Sequence, residues 1–237
     1  MDSEDSMDSD RSTCWSLVDA AARGLRSERD ELARRYLPVV ETYLRARWRG
    51  TRWIGEVEDA VQEFFVECFR AEGFLARVDP ARPGGFRAYL FGAVRNVARR
   101  FEERERHGRR EAVVGSGREL EALEGRDDRL SRAFDRAWAR ALVRRALAAM
   151  RERADAAGAD AVRRVEILAL RFEDGLPIRA IAERHGDDAE RVHREYARAR
   201  REFKSALLEV VAAHSRAGAA PAEVEAECRA LLELLRR

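Results

Sequence analysis

The sequence predicts an all-α protein. Apolar residues recur at spacings of three and four over most of the 237-residue chain, no run alternates apolar and polar residues as a half-buried strand does, and prolines number only five. That length suits about two domains, at roughly 150 residues each. Charged residues make up 38% of the chain, yet the formal net charge is only +2, so no global field draws it to nucleic acid or lipid. Cys14, Cys68 and Cys228 are odd in number and far apart, without a Cys-x-x-Cys or His-x-x-x-His, which argues against a disulfide scaffold or a metal site. The acidic start has the wrong polarity for a secretory signal, and no apolar run spans a bilayer. A cytoplasmic protein with no membrane partner is expected.

In chain order, residues 1–11 carry Asp2, Glu4, Asp5, Asp8 and Asp10 and predict a disordered acidic tail. Ser12 or Thr13 caps a helix bearing Trp15, Leu17, Val18 and Ala21. A second helix, from Glu28 to Trp48, places Leu32, Tyr36, Val39, Val40, Tyr43 and Leu44 on one side, with Pro38 as a kink. Next, VEDAVQEFFVECF buries Val57, Ala60, Val61, Phe64, Phe65, Cys68 and Phe69 on one wide face. Asp59, Gln62, Glu63 and Val66 cluster opposite, as solvated surface or as a dock for a basic partner.

Prolines and glycines make a loop of residues 74–85, and the helix FRAYLFGAVRNVARRFEERER follows. Phe86, Leu90, Val94, Val97 and Phe101 share an arc, while Arg87, Arg95, Asn96, Arg99 and Arg100 lie outside it. From Phe86 to Arg110 there are eight arginines and three glutamates, a net of +5. A basic, aromatic-flanked helix beside a loop suits single-stranded nucleic acid; it also suits plain solubility. Residues 107–132 lose the periodicity and predict a linker. Phe134, Trp138, Leu142, Ala146, Leu147 and Met150 resume it, and after a break at Gly158 it continues through Val165, Leu168 and Phe172.

Leu176 to Phe203 reads as a helix-turn-helix. Ile178, Ile181 and Ala182 mark a short helix, Gly186 ends it, and Asp187 and Asp188 offer oxygens to cap the next. The second helix repeats Val192, Tyr196, Ala199, Phe203 and Leu207, and displays Arg191, His193, Arg194, Arg198, Arg200, Arg201 and Lys204. Such a helix fits the DNA major groove; two helices of a solvated bundle would carry similar charges, since Lys204 is the only lysine and arginine is the default base. A terminal amphipathic helix begins at Pro221 and carries Val224, Cys228, Leu231, Leu232 and Leu235.

Taken together, the motifs resemble bacterial RNA polymerase sigma factors of the extracytoplasmic-function type. Glu58-Asp59-Ala60-Val61-Gln62-Glu63-Phe64-Phe65 is similar to the family's region 2.2 signature. Phe86-Arg87-Ala88-Tyr89-Leu90 with Val94-Arg95-Asn96-Val97-Ala98 resembles regions 2.3 and 2.4, and Leu176–Phe203 resembles region 4. The likeness spans roughly Leu32 to Leu207. Cys14-Trp15-Ser16-Leu17-Val18, Trp138-Ala139-Arg140-Ala141-Leu142 and Glu223-Val224-Glu225-Ala226-Glu227 are similar to a longer subgroup from planctomycetes and related bacteria.

The resemblance implies region 2 at 12–106, a linker at 107–132, region 4 at 133–213 and a C-terminal extension helix at 214–237. It implies that Asp59, Gln62, Glu63 and Phe64 dock on core RNA polymerase. It assigns Phe86, Tyr89, Arg95, Asn96, Arg99 and Arg100 to the −10 promoter element. Arg191, His193, Arg194, Ala197, Arg198 and Arg201 fall to the −35 element. Partners are then core polymerase and promoter DNA, with an anti-sigma factor or other regulator as a further partner of the family. No cofactor, metal, small-molecule substrate or catalytic residue is implied. His185 and Asp187 stand at positions usually apolar in region 4, Glu195 stands where a base is common, and Tyr89 replaces the usual Trp. Two rivals remain. A stand-alone helix-turn-helix regulator leaves the first half without a role. An enzyme using Glu58, Asp59 and Glu63 lacks any accompanying nucleophile, phosphate loop or metal cluster.

Overall fold

The expected helices form. A computed structural model describes residues 14–108 and 127–236, and among the described residues it contains nine α-helices, two short 3₁₀ turns and no strand. They are α1 (Cys14–Ala22), α2 (Arg26–Trp48), α3 (Val57–Phe69), α4 (Gly85–Gly108), α5 (Asp127–Ala157), α6 (Ala159–Phe172), α7 (Ile178–His185), α8 (Ala189–His214) and α9 (Pro221–Arg236). None is long and apolar enough to cross a membrane. The chain divides into two units, one holding residues up to Ala141 together with Ala213–Arg237, the other Leu142–Ala212.

In the first unit α1 and α3 pack on α2, and α4 lies against both α2 and α3. The apolar stripes read from sequence meet here: Leu32, Val39, Val40 and Leu44 of α2 face Val57, Ala60 and Phe64 of α3 and Val94 and Val97 of α4, all at most 1% exposed. Pro38 does not break α2; the Thr42 hydroxyl donates to the Pro38 carbonyl one turn back (2.6 Å). A second cluster is aromatic. Tyr36 stacks on Trp138 (centroids 5.6 Å apart, planes at 10°), and Phe86, Phe91 and Phe134 close around them. His214 meets the edge of Trp138 at 5.4 Å and bonds the Tyr36 hydroxyl through Nε2 at 2.8 Å.

The resemblance implies a first domain at 12–106, with Phe134, Trp138 and residues beyond 213 outside it. The first unit gathers them in, because two large rings and the buried Val224, Cys228 and Leu231 of α9 find their apolar partners there. Residues 127–132, read as linker, are helical: Leu130 is buried one turn before Phe134, so the apolar period starts earlier than expected. The acidic tail 1–11, the capping residues Ser12 and Thr13, and 109–126 of the expected linker lie outside the described residues.

The second unit is built on Ile167 and Leu170 of α6, Ile181 and Ala182 of α7 and Val192 of α8, which share one core bordered by Leu176, Ile178, Ala189 and Tyr196. Gly186 ends α7 in the left-handed region (φ +61°), where a Cβ is disfavoured, and its N–H and that of Asp187 return to the Ala182 carbonyl. Asp188 then caps α8, its Oδ2 accepting the Arg191 N–H at 3.1 Å.

Candidate nucleic-acid and partner interfaces

The first unit offers two charged surfaces. On α3 the apolar stripe turns inward, which leaves Asp59, Gln62 and Val66 exposed and Glu63 half-buried. Glu63 is engaged by Arg104 of α4 through a two-pronged contact (2.6 and 3.0 Å). Phe64 departs from the expectation of direct docking. It is fully buried, its ring against Phe65 and Phe74.

On α4 Arg95, Asn96, Arg99 and Arg100 are exposed, followed one turn on by exposed Glu103 and Arg104. Arg100 lies over the Phe74 ring (5.6 Å) and within 3.5 Å of Glu67; Arg99 sits 3.9 Å from Glu103. The Arg99–Glu103 pair is exposed and worth about 0–1 kcal/mol, whereas Glu67 in the Arg100 pair is half-buried. A cavity of about 350 Å³ opens beside this face, lined by Arg70, Phe74, Arg77 and Arg100 with Glu67 and Glu72. Phe86 and Tyr89, assigned to the same surface from sequence, behave differently. Phe86 is buried among Trp15, Tyr36 and Trp138 because it lies on the apolar arc. Tyr89 is half-buried, its hydroxyl donates to the Phe74 carbonyl, and burial raises its pKa. It ties down the start of the 74–85 loop.

Sequence reasoning missed what anchors this helix. Arg47 of α2 grips Glu102 of α4 in a bidentate ion pair (2.7 and 2.9 Å), and Trp48 Nε1 donates to the same carboxylate at 2.7 Å. Arg47 is 6% exposed and Glu102 1%. Burial, the largest single influence, pushes the Arg47 pKa down, but the hydrogen bonds and charge interactions of Glu102 and Tyr43 together outweigh it and the net movement is upward, so the guanidinium stays charged. One signal was available: Glu102 follows Phe101 and lies four residues after Ala98, at the border of the buried arc. Its partner, 55 residues away, has no local signature.

In the second unit Arg191, Arg194, Arg198 and Arg201 are exposed along α8. At 100° per residue they fall within an arc of about 80°. His193 is exposed to one side and Ala197 is half-buried. Arg191, Arg194 and Arg198 make intrahelical or capping pairs with Asp187 (3.6 Å), Glu190 (3.7 Å) and Glu202 (3.4 Å). Two sequence oddities, Glu195 and Asp187, find a use. Glu195 joins Glu202 on the buried Arg164 of α6 (3.7 and 3.0 Å), so its charge is spent inside the unit. Asp187 accepts the Asp188 N–H (2.8 Å) and pairs with Arg163; that backbone bond first, then Arg163 and Arg191, hold its carboxyl below the usual range. His185 is half-buried, 3.9 Å from Glu166.

No protein-family profile and no curated protein matches the chain. Among the described residues no cluster of His, Cys, Asp and Glu could hold a metal ion.

Proposed function

We propose that the chain is a sigma factor of the extracytoplasmic-function type, which binds core RNA polymerase in the bacterial cytoplasm and directs it to promoters. The observation that carries this reading is the presence in one chain of three solvent-facing surfaces. These are a strip on α3 with Asp59 and Gln62 exposed beside half-buried Glu63, an arginine and asparagine face on α4, and an arginine row on the second helix of a helix-turn-helix. A stand-alone DNA-binding regulator needs only the last.

In this reading α3 presents carboxylates to a basic helical surface of polymerase. The α8 row enters the major groove at the −35 element. Arginine–phosphate contacts supply affinity and salt dependence, while base-edge contacts discriminate by about 1–3 kcal/mol each. Near −10, bases leaving the duplex exchange stacking for contacts with Arg95, Asn96, Arg99 and Arg100. Polymerase performs the chemistry; this chain supplies position.

Co-purification and in vitro transcription with core enzyme test it. The wild-type chain is expected to be retained by core and to start transcripts at discrete sites, and Gln62→Ala with Glu63→Lys to abolish retention. A chain that binds promoter fragments equally well without polymerase, and is never retained by it, would establish the regulator instead.

A further inference from the structure

The loop at residues 74–85 joins α3 to α4 and is fastened at both ends, in different ways. At its start Tyr89 donates to the Phe74 carbonyl. At its far end the fastening comes from the C-terminal segment of the same unit. The Ala217 N–H donates to the Pro80 carbonyl at 2.9 Å. Gly85 packs so closely on the following stretch that a Cβ there would lie 2.5 Å from the His214 carbonyl oxygen. The C-terminal segment is in turn fixed to the body of the unit. His214 bonds Tyr36, Trp15 Nε1 donates to the Ser215 carbonyl (2.9 Å), and the Ser215 hydroxyl donates to Glu227 of α9 (2.9 Å). Arg216 pairs with Glu223. Meanwhile Asp79, Pro80, Ala81, Arg82, Pro83 and Gly84 of the loop are exposed, as are Arg95, Asn96, Arg99 and Arg100.

We infer that residues 213–236 are an intramolecular bracket that sets the conformation of the 74–85 loop for contact with the opened DNA strand. This rests on the reading of α4 as the −10 surface. The bracket touches the loop at the Pro80 carbonyl and at Gly85 and leaves 81–84 exposed, so it positions the loop and does not mask it. A loop immobilised before binding loses less conformational entropy when a strand arrives. The C-terminal helix thereby acquires a role in promoter opening, although it contributes none of the exposed α4 arginines.

The test uses the full chain and two substitutions. Ala217→Pro deletes the N–H given to Pro80; residue 217 is the second position of a turn whose third, Gly218, has φ +75°, so proline suits the turn itself. Ala217→Gly keeps the N–H and is the control. Gly85→Ala attacks the same seat from the loop side. Amide exchange over 79–85 in the free protein, and permanganate reactivity of −10 thymines in the complex with core polymerase, are read together.

Ala217→Pro is expected to speed exchange over 79–85 by roughly five- to tenfold, as loss of one anchoring bond allows. It is also expected to reduce thymine reactivity several-fold, with retention by polymerase unchanged and Ala217→Gly close to wild type. Unchanged exchange in both Ala217→Pro and Gly85→Ala overturns the bracket, and so does faster exchange with undiminished opening. A wild-type chain that opens no promoter, with its loop exchange protected, instead defeats the sigma-factor reading and removes the bracket's role with it.

Discussion

Removing Glu102 should cost more than removing any other carboxylate on α4. The Glu102→Ala chain leaves the buried Arg47 without its carboxylate, with the Tyr43 hydroxyl 3.5 Å from the guanidinium. Burial first raises the Tyr43 pKa, so that hydroxyl stays neutral and offers a dipole rather than a charge. Deleting one partner of a buried ion pair costs about 3–5 kcal/mol. For a unit of this size that lowers Tm by roughly 6–20 °C, at about 2–4 °C per kcal/mol. The double variant Arg47→Met with Glu102→Leu removes both charges. Replacing a buried pair by apolar residues is often neutral or stabilising by about 1–4 kcal/mol. Here the Trp48 N–H also loses its acceptor, at about 1–3 kcal/mol, so the two nearly cancel. Thermal melts followed by tryptophan fluorescence should therefore place the double variant close to wild type and Glu102→Ala far below it. If the double variant falls as far as the single one, the electrostatic account of this anchor is wrong.

Three further outcomes are expected. Arg198→Ala should weaken −35 binding and lower the salt-dependence slope by about one unit, whereas Glu195→Gln, turned onto Arg164, should change DNA affinity less; titrating both over a salt series separates them. The Asp187 carboxyl has a folded-state pKa depressed from its ordinary 3.8, so its stabilisation is complete above that value and fades as pH falls through the lower folded pKa. An acid titration of the second unit's stability should show this limb in wild type and lose it in Asp187→Asn. Cys14, Cys68 and Cys228 are all buried, and burial lifts the Cys14 thiol to about 12, so native protein at pH 8 should alkylate far more slowly than unfolded protein, read by mass spectrometry.

Much of the fold was legible from local pattern. The α3 stripe, the Gly186 stop, the Asp188 cap and the Pro221 start all appear where the sequence places them, because caps, breaks and helical faces depend on residues within four positions of one another. The exposed arginines of α4 and α8 were legible for the same reason. Burial of Phe64 and Phe86 followed from that periodicity too, and family-style assignment to a contact surface obscured it.

By itself, then, the sequence determined the helices, their inner faces and the basic surfaces, since each is a property of spacing along the chain. Tertiary structure alone decided the long-range pairings: Arg47 with Glu102, Arg164 with Glu195, Tyr36 with His214 across 178 positions, and the C-terminal segment with the Pro80–Gly85 turn. A charge or hydroxyl set among arginines reads as solvated in one dimension. Only when a distant partner arrives in the same water-poor space does its desolvation become an anchor.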